Sequence, residues 1–588
     1  MQINLLRAVS GACTFMSVLA LPAITEAAVI ANPTPSAQCA ENTAFFNPTL
    51  PSNIVFAAGA FTASVFIAGL NAPTAIAFRG NASNFEVYVL ESGHGLPSVC
   101  NDQSLWPGGE FALNNPFTPD ILVFNNNGRK IRGPLAKPSP SGGGLQPEGP
   151  AIDIAFVGGF KGGQLFATDS NQSTHQHNGN NNSSRLVIVN PITGKVTPFI
   201  TQLPTGDHPT EQLAFKDGWV YWSQGSTTNS GVVGLDNGGG QNQSDIPCQD
   251  ITLSQNVFIS SFGPPQVATS GYSPFGVQQP GATIPAFFNS FTGQVRQGVC
   301  DGAILRAPLN NPNNIQAFSW GYRNPYAIRF PPKGHPLDGG ILVGMDGADE
   351  RGNRPSDNAP DELHLGQQNA DGSPDYHGWP DRYGRLQTTQ RVYSPIGGPN
   401  DDLCPAPFDQ ATCLANLAKA NDIPMQNVLA GPPQTITAPL ANDAADSSFT
   451  GIDFVPDAFV GGPVQSGAAV YSLEGDFGFS PPNSTVNEVG HEVKLINFIQ
   501  RPGHPLAVKI QPWAHNTPPF GQAFTQDGVN GFNRPTNVRF GPDGCAYVVD
   551  YGAVRDLSDD SHFVGPAANG PLVQIPGTGV VWKICPSR

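Results

Sequence analysis

Charged side chains and long apolar runs are both scarce in this sequence. Asp, Glu, Lys and Arg make up only 13% of the 588 residues, which is about half the usual share of roughly 25%. After residue 28, no apolar run reaches the roughly 20 residues that a bilayer-spanning helix needs. Stretches with the periodicity of an amphipathic helix are rare as well. We therefore expect neither a helical bundle nor a membrane span.

Several enzyme signatures are also missing from the chain. The sequence has no G-x-S-x-G, no P-loop and no dinucleotide-binding fingerprint. Its formal net charge of −16 argues against nucleic acid or an anionic membrane surface as a partner. A small neutral substrate is compatible with that charge.

Glycine, proline and short apolar runs are abundant. The chain has 67 Gly and 58 Pro, a composition typical of short strands joined by many turns. Six times, two apolar runs flank a short turn: 75–78 with 87–90, 152–156 with 164–167, 212–215 with 219–222, 327–330 with 341–343, 451–455 with 468–471, and 537–540 with 545–549. Such a repeat predicts an all-β fold, a six-bladed β-propeller in which each pair is the inner hairpin of one blade. Two β-sandwiches are the alternative.

The ends of the chain and its long insertions complete the predicted architecture. Strand 579–584 is expected to close the ring beside N-terminal strands. Insertions rich in Gly, Asn, Pro and Ser at 95–118, 132–148, 225–300 and 395–445 are expected on the top face, around the mouth of the central channel. We predict a signal peptide over 1–27, followed by a single propeller domain over 28–588.

The predicted signal peptide implies an exported protein, secreted or periplasmic. Arg7 precedes an apolar run over 8–21, and Ala27 ends a small-residue cleavage site. Eight cysteines follow it, an even number that favours disulfides in an exported chain. The short loop favours the pair Cys404–Cys413, and neighbouring strands favour Cys545–Cys585. Elimination leaves Cys39–Cys100 and Cys248–Cys300.

Two polar pairs lie just before predicted inner strands. Asp207-His208 precedes strand 212–215, where an imidazole can act as a general base and the carboxylate can orient it or hold a substrate. A solvated turn is the alternative. Arg323-Asn324 precedes strand 326–330, where a guanidinium and an amide can face an anionic, carbonyl-rich ligand. A surface ion pair is the alternative there.

The segment around Arg323 resembles a known signature. It comprises Gly321-Tyr322-Arg323-Asn324-Pro325, Asp361-Glu362-Leu363 and Tyr376-His377-Gly378-Trp379-Pro380. Together these motifs resemble the soluble quinoprotein glucose/sorbosone dehydrogenase family, whose members are six-bladed propellers. The resemblance implies a sugar dehydrogenase that uses pyrroloquinoline quinone (PQQ), Ca²⁺, a carbohydrate substrate and an external electron acceptor.

The resemblance also implies roles for individual residues. His208 would be the base that takes the proton of the anomeric hydroxyl, with Asp207 and Glu148 near the sugar. Arg323, Asn324 and Arg534 would contact the quinone, with Arg323 beside its reacting carbonyls. Calcium would lie at the end of the predicted strand 341–343, where we assign Asp346, Gly347, Ala348 and Asp361 as its ligands. A solvated acidic loop would look the same in sequence.

Three positions depart from the family pattern. Glu474 stands where a basic residue is usual and would repel a tricarboxylate; Thr536 replaces a second Arg, and Ser226 replaces an Asp that supports the catalytic His. Each lost charge-assisted contact is worth about 1.5–3 kcal/mol. Two other hypotheses therefore stand beside the dehydrogenase: a Ca²⁺-dependent lactonase-type hydrolase, and a non-catalytic propeller that binds carbohydrate or protein.

Overall fold

The structure is a computed structural model of the chain. It describes residues 53–57, 61–94, 101–171, 183–234, 243–259, 267–349, 353–354, 359–382, 426–475, 489–517, 531–556 and 572–587. The predicted signal peptide and the cysteine pairs Cys39–Cys100 and Cys404–Cys413 involve residues outside these ranges, so those predictions stay predictions.

The described residues form an all-β, six-bladed propeller, as the repeat predicted. From the channel outwards, the strands of the six antiparallel sheets are as follows. Blade I has Pro73–Asn81, Asn84–Glu91, Asp120–Asn125 and Lys130–Leu135. Blade II has Ile154–Phe156, Leu165–Asp169, Ser184–Val189 and Val196–Leu203. Blade III has Thr210–Lys216, Trp219–Gln224, Ala303–Pro308 and Gln316–Trp320, to which Asp375–Tyr376 adds in parallel. Blade IV has Asn324–Arg329, Ile341–Asp346, Pro360–Gly366 and Ala441–Ala445. Blade V has Phe449–Phe454, Ala469–Leu473, Glu492–Ile499 and Ala507–His515, with Val55–Phe56 at its edge. Blade VI has Pro535–Phe540, Ala546–Asp550, Gly579–Pro586 and Phe61–Leu70.

Short elements complete the described secondary structure. Four two-stranded ribbons pair Ile251–Thr252 with Thr283–Ile284, Phe258–Ile259 with Ala268–Thr269, Phe288–Asn289 with Gln294–Val295, and Val554–Asp556 with Leu572–Gln574. Three single-turn 3₁₀ helices lie at Gln103–Leu105, Gly159–Lys161 and Asp457–Phe459. Within the described ranges, no helix has the length and apolarity to cross a membrane.

Blade VI is closed by both ends of the described chain. Strand Phe61–Leu70 pairs with Gly579–Pro586, so an N-terminal strand completes the blade built from C-terminal strands. This pairing is the ring closure predicted from sequence, and it leaves no gap between the first blade and the last. Closure covers sheet edges that would otherwise be exposed.

Threonine hydroxyl groups join the inner strands of three neighbouring pairs of blades. Thr74 Oγ1 donates to Ala151 O at 2.9 Å between blades I and II. Thr450 Oγ1 donates to Pro535 O at 2.7 Å between blades V and VI, and Thr536 Oγ1 donates to Pro73 O at 3.0 Å between VI and I. Small hydroxyl side chains thus link neighbouring blades where the inner strands crowd together.

Two of the four predicted disulfides are confirmed, and they join different kinds of element. Cys545–Cys585 ties the second and third strands of blade VI, and Cys248–Cys300 ties the long insertion to the start of strand Ala303–Pro308. The expectation that 132–148 and 395–445 are wholly loop is wrong, because Lys130–Leu135 and Ala441–Ala445 are the outermost strands of blades I and IV. Both strands are short and half exposed, so neither leaves a strong apolar pattern.

Candidate functional site

One mouth of the channel gathers the side chains that precede the inner strands. Asp207 and His208 come just before Thr210–Lys216, Arg323 just before Asn324–Arg329, and Arg534 just before Pro535–Phe540. Blades III, IV and VI therefore each bring a predicted site residue to the same end of the channel.

His208 is held close to Asp207 at this mouth. The imidazole Nε2 lies 3.5 Å from Asp207 Oδ2, and the His208 side chain is 22% exposed. Backbone bonds from Asp207 N to Thr227 O and from His208 N to Ser226 O fix both residues. A Cβ on Gly225 would lie 2.2 Å from His208 Cβ, so only glycine allows this approach. A half-buried imidazole beside a carboxylate can accept a proton from a bound hydroxyl group.

Arg323 links the His208 side of the mouth to blade IV. Its buried guanidinium lies 3.3 Å from Asp207 Oδ2 and 2.7 Å from Asp349 Oδ2, and also donates to Gly347 O. Arg323 Nε is buried and finds no hydrogen-bond acceptor among the described residues. The guanidinium therefore holds Asp207 in place and retains one donor for a ligand.

Asn324 and two aspartates continue the mouth along blade IV. Asn324 Nδ2 donates to Asp346 Oδ2 at 2.9 Å, and no described group donates to Asn324 Oδ1. Burial and the nearby Asp361 raise the pKa of Asp346 well above its usual value, although Arg323 opposes this. Asp361 accepts from Gly347 N at 2.8 Å and Ser447 Oγ at 2.7 Å, and burial raises its pKa to about 7.

The predicted calcium residues are thus together, but they are not arranged as a side-chain cage. Asp346, Gly347 and Ala348 end strand Ile341–Asp346, and Ala348 packs in the apolar core. Within the described part of the chain, no three His, Cys, Asp or Glu side chains are placed to hold a metal ion. A cation here would need backbone carbonyls or oxygens of a bound ligand. The assignment stays a prediction.

Blade VI contributes a second cation with acidic neighbours. The buried Arg534 donates from Nη1 to Gly475 O at 3.0 Å, and its backbone N donates to Asp550 Oδ1 at 2.9 Å. Burial raises the pKa of Glu474 to about 7, against the opposing charge of Arg534. Arg534 therefore has a carboxyl group beside it that is half ionised near neutral pH.

Glu211 is a channel residue that sequence reasoning missed. It is 1% exposed, and its Oε2 has no hydrogen-bond donor among the described residues. Burial, and next the charge of Glu474, raise its pKa well above the usual value. The only signal in sequence was a Glu inside an apolar inner strand, next to Gln212.

The remaining predicted residues lie elsewhere or serve the fold. Glu148 is half-buried in the loop before the inner strand of blade II. Ser226 Oγ donates to Thr228 O at 2.6 Å, so this residue braces a loop. Thr536 links blades VI and I. Arg354 lies buried, and its Nη2 is 2.8 Å from Asp381 Oδ1.

Glu474 predicts a pH-dependent stability. Because burial raises the pKa of Glu474 in the folded protein to about 7, above its ordinary value of 4.5, the folded protein keeps a proton that the unfolded chain releases between those pH values. Stability therefore falls as pH rises through this window. We expect Glu474→Gln to be more stable than the wild type by about 1 kcal/mol at pH 8 and equally stable at pH 4. The expected gain is smaller than the full pKa difference would give, because the Glu474 side chain is partly exposed to solvent.

Chemical denaturation at pH 4, 6 and 8 measures this effect. Asp217→Asn is the control, since it removes one carboxylate from an exposed turn. A Glu474→Gln variant whose stability difference from the wild type is the same at pH 4 and pH 8 would contradict the assignment.

The other end of the channel is closed by a second polar cluster. Gln212 Nε2 donates to Thr450 O at 2.8 Å, and Gln212 Oε1 accepts from Arg539 Nη2 at 3.1 Å. Arg329 Nε pairs with Asp453 Oδ1 at 2.8 Å nearby. These groups join blades III, IV, V and VI, so a ligand would enter from the His208 mouth.

Comparison with known proteins gives similarity of structure only. No protein-family model and no curated protein sequence matches the chain. The soluble aldose sugar dehydrogenase of Escherichia coli in its apo form matches with a TM-score of 0.44 and 12% identity, over 90% of this chain and 100% of that one. An oxidoreductase of Thermus thermophilus described as a glucose dehydrogenase matches with a TM-score of 0.39 and 15% identity, over 89% and 99%.

A third solved structure, the periplasmic gluconolactonase PpgL of Pseudomonas aeruginosa, has a TM-score of 0.20 and 10% identity, over 71% of this chain and 98% of that one. The six-bladed propeller is established by the strand order itself. The two structures described as sugar dehydrogenases each align with about nine-tenths of this chain.

Proposed function

We propose that this protein is a sugar-oxidising oxidoreductase that uses PQQ with Ca²⁺ at the His208 mouth of the channel. The observation that carries the proposal is the contact of Asp207 with both His208 and Arg323, with Asn324 alongside. It combines a base, an orienting carboxylate and a cation at the accessible end of a channel that is closed at the other.

The mouth suits the carbonyl side of a quinone. Arg323 Nε is a buried donor for a carbonyl oxygen, and Asn324 Oδ1 is a buried acceptor for an N–H or O–H group of the ligand; neither has a partner among the described residues. On the carboxylate side, Arg534 offers one cation, and Glu474 opposes an anion only when ionised. Because the pKa of Glu474 is about 7, the site fits a tricarboxylate best at mildly acid pH.

The chain's own groups have distinct tasks in this proposal. His208 takes the proton from the anomeric hydroxyl at Nδ1, because Nε2 is buried and faces Asp207, which keeps the imidazole oriented. Arg323 donates to the cofactor's carbonyl edge, Asn324 Oδ1 accepts from a donor group of the cofactor or substrate beside it, and Arg534 pairs with one of the cofactor's carboxylates. The carbonyl oxygen of Ala348 and the carboxylates of Asp346 and Asp361 are the candidate protein ligands for Ca²⁺, because Gly347 O already accepts from Arg323. The quinone, when bound, would accept the two electrons of the substrate.

The test is reconstitution of the purified full chain with PQQ and Ca²⁺ at pH 6. Dye reduction is followed over a panel of aldoses, and quinone binding is measured separately. We expect His208→Ala to lower the turnover at least about 100-fold while leaving the quinone affinity unchanged, because a general base contributes about 10²–10⁴-fold. The matched control is His504→Ala, an exposed histidine in a blade V turn.

Two results would reject the proposal. If the protein does not bind PQQ at micromolar concentration, PQQ is not its cofactor. Hydrolysis of sugar lactones with Ca²⁺ alone would instead favour the lactonase-type enzyme, which the surplus of carboxyl groups at Glu211, Asp346 and Glu474 also suits.

A further inference from the structure

A continuous chain of four buried side chains lies between blades III and IV, away from the mouth. His364 Nε2 is 2.5 Å from Glu362 Oε2, His364 Nδ1 is 2.9 Å from His377 Nδ1, and His377 Nε2 is 3.1 Å from Asp375 Oδ2. All four residues are at most 6% exposed. We call this set the bis-histidine chain.

Strand geometry brings these groups together. Glu362 and His364 are two positions apart on strand Pro360–Gly366, so both point to the same face. Asp375 begins the short strand that pairs in parallel with the outer strand of blade III, and His377 follows that strand. The bis-histidine chain therefore spans the interface between two blades.

The bis-histidine chain requires one proton more than neutral imidazoles supply. Its three hydrogen bonds need three protons, whereas two neutral histidines between ionised carboxylates bring only two. With each Nε2–H donated to a carboxylate, the two Nδ1 atoms would face each other as lone pairs at 2.9 Å. This is the separation of an N–H···N hydrogen bond, so a proton belongs between them.

The extra proton has a preferred location. Burial, opposed by the hydrogen bond to Asp375 and assisted by charge on His364, lowers the pKa of His377 to about 4. His377 is therefore the neutral partner that accepts at Nδ1. Burial raises the pKa of Glu362, but the charge of His364 and its hydrogen bond oppose that rise. Because a carboxyl group is ordinarily more acidic than an imidazolium, we assign the proton of this pair to the imidazole.

Tyr322 connects the bis-histidine chain to the mouth. Its ring stacks on His377 with centroids 4.6 Å apart and meets His364 edge-on at 5.3 Å, and its hydroxyl lies 2.6 Å from Ser319 Oγ. The groups that face the two imidazoles are thus Glu362, Asp375 and Tyr322. Arg323 directly follows this clamped tyrosine.

The backbone around Tyr322 is fixed from the same side. His377 N donates to Trp320 O at 2.9 Å, and Trp379 N donates to Gly321 O at 2.9 Å. On the channel side, Ser226 N donates to Arg323 O at 2.8 Å. The turn that aims the Arg323 guanidinium is therefore held between the bis-histidine chain and blade III.

We infer that His364 is a buried imidazolium paired with Glu362, and that His364 and His377 are positioning residues that fix Tyr322 and so aim Arg323 at the channel mouth. The number of protons follows from the three hydrogen bonds, and their assignment to His364 follows from the ordinary acidities of a carboxyl group and an imidazolium. The link to a ligand at Arg323 rests on the proposed function.

The test of the charge state is nitrogen NMR of the full chain with ¹⁵N-labelled histidine. At pH 8, where an ordinary histidine has lost its second proton, we expect one histidine to keep protons on both ring nitrogens. This signal should be lost in His364→Gln, and the exposed histidines in the same spectrum serve as the reference. Two neutral imidazoles in the wild type at pH 8 would overturn the inference, as would a stoichiometric bound metal that His364→Gln loses.

The positioning role is tested by ligand binding. We expect His377→Gln to weaken PQQ binding at pH 6 at least tenfold, while the imidazolium signal of the wild type is unaffected by the presence of PQQ. An unchanged affinity in His377→Gln would overturn the positioning role. If the wild type binds no PQQ, the proposed function fails, and the NMR result still decides the charge state.

Discussion

Replacing Arg323 by alanine is expected to lower the free energy of unfolding by about 3–5 kcal/mol and to remove ligand binding at the mouth. Its guanidinium is 3% exposed and pairs with Asp207 at 3.3 Å and Asp349 at 2.7 Å. The loss would leave the buried Asp207 carboxylate without its cation and Gly347 O without its donor. Denaturant titration and ligand binding measure the two effects.

Lys216→Ala is the matched control for this ion pair. Lys216 Nζ lies 3.0 Å from Asp338 Oδ1, but both side chains are about one-third exposed. An exposed pair contributes about 0–1 kcal/mol, so the control should change stability little. Arg323→Lys separates charge from shape, because lysine keeps the charge but cannot serve Asp207, Asp349 and Gly347 together. Equal stability of Arg323→Ala and Lys216→Ala would contradict the central role of Arg323.

Arg539→Met is expected to cost about 3–5 kcal/mol as well, at the closed end of the channel. Arg539 is 6% exposed; its Nη1 donates to Ile452 O at 2.8 Å and its Nη2 to Gln212 Oε1 at 3.1 Å. Asp153 Oδ2 lies 3.9 Å away. Methionine would fill much of the volume but leave a buried carboxylate and an amide oxygen without this donor.

Comparing Arg329→Met with Arg539→Met shows how much the burial of the arginine contributes to stability. Arg329 ends the inner strand of blade IV and pairs with Asp453 at 2.8 Å, but its side chain is 36% exposed. We expect a loss of about 1 kcal/mol, measured by denaturant titration alongside Arg539→Met. If the two variants lose the same stability, the second polar cluster around Arg539 is not a main support of the ring.

The inner hairpins could be predicted because their residues are buried on both faces. Strands such as Ala546–Asp550 and Ala469–Leu473 are buried throughout, so they appear in sequence as continuous apolar runs. The outer strands Lys130–Leu135 and Ala441–Ala445 face water and lack such runs. Because these two segments lack apolar runs and are rich in turn residues, the sequence predicted loops there.

The parts of the candidate site in which polar residues precede an inner strand could be predicted from the sequence. The parts formed by contacts between distant segments of the chain could not. Asp207, His208 and Arg323 stood out because each lies just before a predicted inner strand and matches the pattern of the family that the chain resembles. The hydrogen bond between His364 and His377 joins residues of separate elements, and no local pattern announces it. The carboxyl group beside Arg534 likewise comes from another blade, because Glu474 follows a strand of blade V.

The closure of blade VI by the first and last strands has a consequence during synthesis. Thr62 and Ser587, which are hydrogen-bonded neighbours across this closure, lie 525 positions apart. At about 5–20 residues per second, the first strand waits roughly 25–100 s for its partner to be made. During that interval the ring is an open arc with two unpaired edges, a target for mispairing with other nascent chains. Production of the folded protein should therefore depend on whatever keeps that arc apart from its neighbours until Gly579–Pro586 arrives.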